Sequence, residues 1–142
     1  MPGQIFTCTH RVSYNECTMG NHVYHSRFLD ILERARGEFF RSLGCPFLQL
    51  QNEDAIFPVV HCELNFQAMA RYDDLLHIEL WLTELGRVRF ICAGRIKNTE
   101  GALLLDSSIE MGCTTVDGKI RKLPPALREG LQAYLISSDT PE

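Results

Sequence analysis

Side chains that could do acid–base or nucleophilic chemistry gather in one short stretch, residues 14–25. Its reactive members are Tyr14, Glu16, Cys17, Thr18, His22 and His25. Glutamate and histidine can take a proton from water, whereas a threonine hydroxyl needs a base beside it. The stretch therefore indicates activation of water, with Glu16 and His25 as the first candidates for the base and His22 as a further one.

Two other chemistries fit the same residues less well. Cys17, His22 and His25 could bind a metal, but a structural zinc site needs a fourth ligand, and none follows at a suitable spacing. Cys17 could also act as a nucleophile with His25 as its base. We expect neither a metal nor a redox cofactor.

A strongly periodic helix follows and must position these side chains. Its apolar residues recur at spacings of three and four, which places them on one face. They are Tyr24, Phe28, Ile31, Leu32, Ala35, Phe39 and Leu43. Gly44 and Pro46 end the helix. The start of a helix offers N–H groups without partners and the positive end of its dipole, next to the reactive stretch.

Five alternating segments predict β-strands at residues 5–14, 58–67, 76–83, 88–96 and 103–113. Turn residues separate the last four, which favours an antiparallel meander. Residues 44–55 have no period and are interpreted as a connection, whereas KLPPALREGLQAYL predicts a short terminal helix. The order β-α-β-β-β-β predicts an α+β fold, with the long helix on one face of a five-stranded antiparallel sheet, in one domain spanning residues 1–142.

Within these segments, the alternation assigns one set of residues to the core. On the first strand His10 shares the inward set with Phe6 and Cys8. On the second strand the inward set is Pro58, Val60, Cys62, Leu64 and Phe66. The opposite sheet face mixes polar residues with apolar ones, and a lone sheet has open edges, so self-association is expected.

Composition excludes several classes of protein. The chain has 142 residues, of which 45% are hydrophobic and 23% charged, and its net charge is −4. These values are typical of a soluble globular protein without bulk attraction to nucleic acid or to an anionic membrane. We find no apolar run long enough to span a bilayer and no signal peptide. Six cysteines without metal or redox spacing are interpreted as free, mostly buried thiols of a cytoplasmic protein.

Several segments together resemble the hot-dog-fold acyl-CoA thioesterases of the 4-hydroxybenzoyl-CoA thioesterase family. The segments are VSYNECTMGNHVYHSRFLDILERAR, ARYDDLLHIELWL, FICAGRIKNTEGALLLDSS and VDGKIRKLP, in the order found in that family. The resemblance implies a five-stranded antiparallel sheet wrapped around one long helix. It also implies an acyl-CoA substrate, and assembly into homodimers or homotetramers with the active site between subunits.

The resemblance further assigns roles within the reactive stretch. The family carries an aspartate before the helix, in a pattern like D-x-D-x-x-G, but Thr18 occupies that position here and Glu16 the position of the earlier acid. We therefore expect Glu16, Thr18 and His25 to form the catalytic group. The N–H groups around Val23 and Tyr24 are expected to polarise the thioester carbonyl.

The remaining residues of the stretch are assigned to substrate binding or to shaping the loop. They are Tyr14, Asn21 and His22. Asn21 suits a turn, and Tyr14 could either orient the loop through its hydroxyl or pack.

Three functions remain open at this stage. The first is hydrolysis of an acyl-CoA to free acid and coenzyme A. The second, motivated by Thr18, is an acyl-CoA or acyl-carrier binding protein that has lost efficient hydrolysis. The third is another hot-dog enzyme such as a dehydratase, whose helix motif is not found here.

Overall fold

The computed structural model describes residues 3–136. A 3₁₀ turn lies at Tyr14–Glu16. The strands and α-helices of this range are β1 (Phe6–Arg11), β2 (Cys17–Thr18), β3 (His22–Val23), α1 (Arg27–Ser42), α2 (Phe47–Asn52), β4 (Val59–Phe66), β5 (Leu75–Leu85), β6 (Arg89–Lys97), β7 (Leu103–Gly112) and α3 (Pro125–Gln132). Within it no helix is both long enough and apolar enough to cross a membrane.

Five strands form one antiparallel sheet in the order β1-β5-β6-β7-β4, and β2 pairs with β3 in a separate hairpin. Helix α1 lies on one face of the sheet and closes the core. Ile31, Leu32, Ala35 and Phe39 of α1 are each at most 2% exposed. The predicted α+β hot-dog arrangement is thus confirmed, and so is the helix stripe from Phe28 to Phe39. Tyr24 departs from the prediction, because it precedes the helix and is 46% exposed.

Gly94 on β6 lies where α1 comes closest to the middle of the sheet. A Cβ there would lie 3.0 Å from Leu80 Cδ2, 3.0 Å from Ser107 Oγ and 3.4 Å from Leu32 Cδ2. Since such interiors are close-packed, a side chain at this position must push the helix or the neighbouring strands apart.

Replacing Gly94 with valine should therefore lower the free energy of unfolding by about 2 kcal/mol or more, the usual cost of overpacking. Urea unfolding measures it. Gly112→Ala is the matched control, since a Cβ at Gly112 would meet only Val60 Cγ1, at 3.9 Å. Equal stability of Gly94→Val and wild type would show that α1 does not press on the sheet at this point.

The predicted meander is wrong for its first strand. β5, β6 and β7 follow one another as neighbours, but β4 pairs with β7 and β1 pairs with β5. The connection 67–74 is long enough to cross the end of the sheet, so β4 reaches the far edge. The turn residues Asp73 and Asp74 hold this connection against the end of β1. Asp73 N–H donates to Val12 O, and Val12 N–H donates to Asp74 O.

The predicted burial of β4 is also wrong. Of its inward set only Leu64 is half-buried, while Val60 and Phe66 are 60% and 51% exposed and Cys62 is exposed. β4 is exposed because it lies at the edge of the sheet, whereas α1 covers the middle of the sheet and leaves both faces of β4 open.

The connection predicted at residues 44–55 contains a helix, α2. It folds back on α1, where a Cβ at Gly37 would lie 3.4 Å from the ring of Phe47. Leu50 of α2 is 1% exposed and joins the core. With six residues, the helix is too short to show a period in the sequence.

Candidate active site

The reactive stretch forms a tight hairpin ahead of α1. Thr18 on β2 lies directly opposite His22 on β3, so their side chains leave the same face of the ribbon. Gly20 and Asn21 make the turn with φ values of +88° and +59°, and Asn21 N–H donates to Thr18 O at 3.1 Å. The predicted turn role of Asn21 agrees with this geometry, since glycine and asparagine adopt positive φ most readily.

A groove of about 450 Å³ opens beside this hairpin. Its walls come from the hairpin, the start of α1 and the end of β4. The lining residues are Thr18, His22, Val23, Tyr24, His25, Phe28, Phe66, Gln67, Ala68 and Met69. Phe66 of β4 closes one side, with its ring 5.8 Å from Phe28 and 6.5 Å from His25.

One of the two ring nitrogens of His22 makes a hydrogen bond. Its Nδ1 lies 3.3 Å from Val23 O, and a carbonyl oxygen only accepts hydrogen bonds. We therefore assign the proton of the neutral ring to Nδ1, which leaves a lone pair on Nε2. The ring edge lies towards the hairpin turn, with Cδ2 3.4 Å and Nε2 3.8 Å from the Cβ position of Gly20. His22 also lines the groove, and in this tautomer its Nε2 can accept a proton.

The free N–H groups at the start of α1 are not the expected pair. Val23 N–H donates to Ala70 O at 2.8 Å, and Tyr24 N–H donates to Glu16 O at 3.0 Å. The expectation that these two groups polarise a carbonyl is therefore wrong, because both are used to fasten the hairpin. Within residues 3–136, the N–H groups of His25 and Ser26 make no hydrogen bond to the protein. They lie at the positive end of α1, beside the groove.

Glu16 is buried away from the groove. It is 5% exposed, and its two carboxylate oxygens lie 2.9 and 3.0 Å from His10 Nε2. Ser13 N–H donates to the same carboxylate at 2.8 Å. Burial alone would raise the pKa of Glu16, but the hydrogen bonds from His10 and Ser13 outweigh it and hold the pKa below its ordinary value. Glu16 is thus a charged anchor at the base of the hairpin.

Tyr14 and Cys17 lie at the outer side of the hairpin. Tyr14 is 79% exposed and packs edge-on against Tyr72, with ring centres 5.7 Å apart. Tyr14 and Cys17 both line a shallow hollow, and Thr18 belongs to this hollow and to the groove. Burial, with Glu16 and Asp74 nearby, raises the pKa of the Cys17 thiol, which disfavours the nucleophilic thiolate. In the described part of the chain, no group of three or more histidine, cysteine, aspartate or glutamate residues could hold a metal ion.

Sequence reasoning missed two contributions to the site. His10 was assigned inward on β1, and its six-residue separation from Glu16 gave no sign that the chain folds back between them. The second contribution comes from the end of β4, where Phe66, Gln67 and Met69 line the groove. That contact depends on the crossing of β4 to the sheet edge, which the sequence pattern did not indicate.

Known proteins resemble this chain over most of its length. The model of the thioesterase superfamily matches residues 20–105. The acyl-CoA thioester hydrolase YbgC of Escherichia coli is 30% identical over 118 residues, which cover 82% of this chain and 88% of that protein. A 1,4-dihydroxy-2-naphthoyl-CoA hydrolase of Synechococcus elongatus is 28% identical, covering 78% of this chain and 82% of its own.

Solved structures show the same likeness. A crystal structure described as a probable thioesterase, from Bartonella henselae, superposes with a TM-score of 0.81 at 30% identity, covering 85% of this chain and all of that one. The matched family region contains β3, α1 and β4, which line the groove, and it begins after β2. Sequence and fold therefore agree, and the chain belongs to the thioesterase superfamily.

Proposed function

We propose that the protein hydrolyses an acyl-CoA thioester to a free acid and coenzyme A. The observation that carries the proposal is the groove itself, which the imidazole of His22 and the hydroxyl of Thr18 line together with His25, next to two free N–H groups at a helix start. Relatives named as hydrolases of acyl-CoA and of 1,4-dihydroxy-2-naphthoyl-CoA support the substrate class.

The reaction follows from these groups. His22 Nε2 takes a proton from water, which Thr18 Oγ1 holds in place, and the hydroxide attacks the carbonyl carbon. The carbonyl oxygen becomes negative and accepts hydrogen bonds from the N–H groups of His25 and Ser26. The carbonyl then re-forms, the C–S bond breaks, and the leaving sulfur of coenzyme A takes the proton from Nε2.

Other residues of the hairpin have supporting roles in this proposal. Glu16 positions the loop through His10 and Ser13, while its backbone oxygen holds Tyr24 N–H. Val23 and Tyr24 shape the wall of the groove, and the ring of His25 packs on Tyr24 with centres 4.4 Å apart.

A binding protein without efficient hydrolysis is the second candidate. Among the described residues, those that line the groove include no aspartate and no glutamate. A site whose only base is an imidazole could hold a thioester without cleaving it quickly. The two functions differ in turnover and not in affinity.

Release of free thiol from short, aromatic and long acyl-CoA compounds separates them. Repeated turnover on at least one compound supports hydrolysis. Tight binding without thiol release supports the binding protein. Because Cys62 is exposed, the thiol of the protein itself must be subtracted, and a Cys62→Ser variant serves as the control.

We also propose that two copies of the chain pair through β4. This strand lies at the sheet edge with both faces open, and its unpaired backbone groups can continue the ladder with a second copy. The end of β4 lines the groove, so a partner strand would cover that side of the site. A homodimer is then the smallest complete unit, and a homotetramer can be built from two of them.

Val60→Lys should weaken this assembly, because a charge replaces an apolar side chain that is 60% exposed on β4. Light scattering at micromolar concentration should show a shift towards monomer, with a parallel loss of thiol release. Val116→Lys, at a residue that is 55% exposed outside the sheet, is the matched control. A wild-type monomer at that concentration would contradict the proposed pairing.

The thiols favour a reducing compartment. All six cysteines are free, and Cys45, Cys92 and Cys113 are buried. Since oxidising compartments promote disulfides, we propose that the protein works in the cytoplasm.

A further inference from the structure

Helix α1 carries a buried arginine on its apolar face. Arg36 is 6% exposed and lies among the buried residues of α1 beside Phe39 and Phe40. Within residues 3–136 it makes no hydrogen bond and no ion pair. A buried charge is costly unless it is paired, so the guanidinium lacks the partner that its position demands.

Arg36 faces a cavity of about 210 Å³. Apolar walls come from Phe40, Phe57, Val59 and Met111. None of the Arg36 nitrogens is among the fully enclosed polar atoms without a partner, and Arg36 itself lines the cavity. The cavity thus combines a mostly apolar wall with one cation.

Burial lowers the pKa of Arg36, and Glu33, which lies nearby, opposes this without forming an ion pair. Burial raises the pKa of the neighbouring Cys92 thiol to about 12, so that thiol carries no charge at neutral pH. Glu33 lies at the rim of the cavity with its side chain exposed, and it forms no ion pair with Arg36. Within residues 3–136 the guanidinium of Arg36 thus keeps its donors unused beside the cavity.

The cavity and the active-site groove lie between the same two elements. The groove contacts Phe28 of α1 and Phe66 of β4, whereas the cavity contacts Arg36 of α1 and Val59 of β4. Eight residues separate Phe28 from Arg36, which is about 12 Å along the helix axis. A chain lying between α1 and β4 could therefore have one end in the groove and the other beside Arg36.

We propose that this cavity receives the far end of the acyl group and that Arg36 binds a carboxylate there. The preferred substrate is then a thioester of a medium-length dicarboxylic acid, with an apolar chain between the thioester and the free carboxylate. Arginine suits this role, because its planar fork of donors matches a carboxylate with two parallel hydrogen bonds. The inference rests on the proposed function, since it assigns an acyl group to the groove.

Binding of non-hydrolysable coenzyme A thioethers tests the inference without depending on turnover. One thioether ends in a carboxylate and its match ends in a methyl group. We expect the wild-type protein to bind the carboxylate form roughly tenfold more tightly or better, the usual effect of a charge-assisted pair. Equal affinity for the two compounds would overturn the inference and leave the proposed function standing. Failure of both to bind would overturn the two together.

Variants of Arg36 identify the group responsible. Arg36→Met should abolish the preference while the protein stays folded, since an apolar residue of similar size replaces an unpaired buried charge. Arg34→Met, at an exposed position of the same helix, should keep the preference. Glu33→Gln should strengthen it by removing a like charge from the rim.

One other partner for Arg36 is a carboxylate from a second copy of the chain. In that case Arg36→Met would dissociate the assembly in light scattering and would leave the affinities for the two thioethers in the wild-type ratio. That pair of results would overturn the inference. Loss of the preference with the assembly intact supports it.

Discussion

Replacing His22 with glutamine should lower kcat for thioester hydrolysis roughly a hundredfold or more, the usual contribution of a general base. Glutamine keeps a polar side chain of similar size but cannot take a proton from water. His22 is half-buried at the hairpin and makes only a long contact to Val23 O, so the free energy of unfolding should change by less than about 0.5 kcal/mol. Steady-state thiol release and urea unfolding measure the two effects.

His25→Gln and His77→Gln complete this experiment. His25 contributes its backbone N–H in our account, so losing its ring should cost much less than losing His22. His77 is exposed on β5, outside the groove, and its replacement should have no effect. Full turnover in His22→Gln together with loss in His25→Gln would transfer the role of base to His25.

Replacing Glu16 with glutamine should lower the free energy of unfolding by about 2 kcal/mol at neutral pH, since it removes buried charge-assisted hydrogen bonds. The pKa of Glu16 is lower in the folded protein than in the unfolded chain. Its contribution is therefore complete above the ordinary glutamate pKa of about 4.3, and it is lost as the pH falls through the folded value. Urea unfolding between neutral and acid pH should show this loss in the wild type and a flatter dependence in Glu16→Gln.

The chain offers a matched control for this pair. His61 and Glu63 make the same kind of histidine–carboxylate contact at 3.3 Å, but their side chains are 62% and 67% exposed. Glu63→Gln should therefore change stability by less than about 0.5 kcal/mol, as is usual for surface pairs.

Variants of His10, the hydrogen-bond partner of Glu16, distinguish an anchoring role of Glu16 from a catalytic one. If Glu16 positions the loop, His10→Gln should reduce stability and turnover much as Glu16→Gln does, and the double variant should be no worse than either. If Glu16 were the base, His10→Gln would keep most of the turnover that Glu16→Gln loses.

Much of the fold could be predicted from periodicity. The apolar stripe of α1 and the alternation of β5, β6 and β7 follow from local geometry, because one face of each is buried. The position of β4 in the sheet could not be predicted from periodicity. Strand order depends on where the connection 67–74 crosses and not on the composition of the strand. Its alternation predicts an inward face that one copy of the chain does not bury.

The candidate site could be placed from the sequence only as a stretch of chain. The gathering of reactive residues points to the hairpin and the start of α1, and this assignment stays a prediction. The direction of each side chain depends on contacts across the fold, such as His10 with Glu16, and on which N–H groups the loop uses for itself. The two N–H groups without hydrogen bonds belong to His25 and Ser26, two residues after the expected Val23 and Tyr24.

A crystal structure with a non-hydrolysable coenzyme A thioester analogue tests the central claim most directly. We expect the thioester oxygen within about 3 Å of the His25 and Ser26 nitrogens, and a water between His22 Nε2 and the carbonyl carbon. An analogue seated elsewhere would contradict the account. One such place is the groove of about 540 Å³ between β1 and α1, which Cys8 and His10 line. A thioester carbon nearest to the Glu16 carboxylate would contradict the account equally.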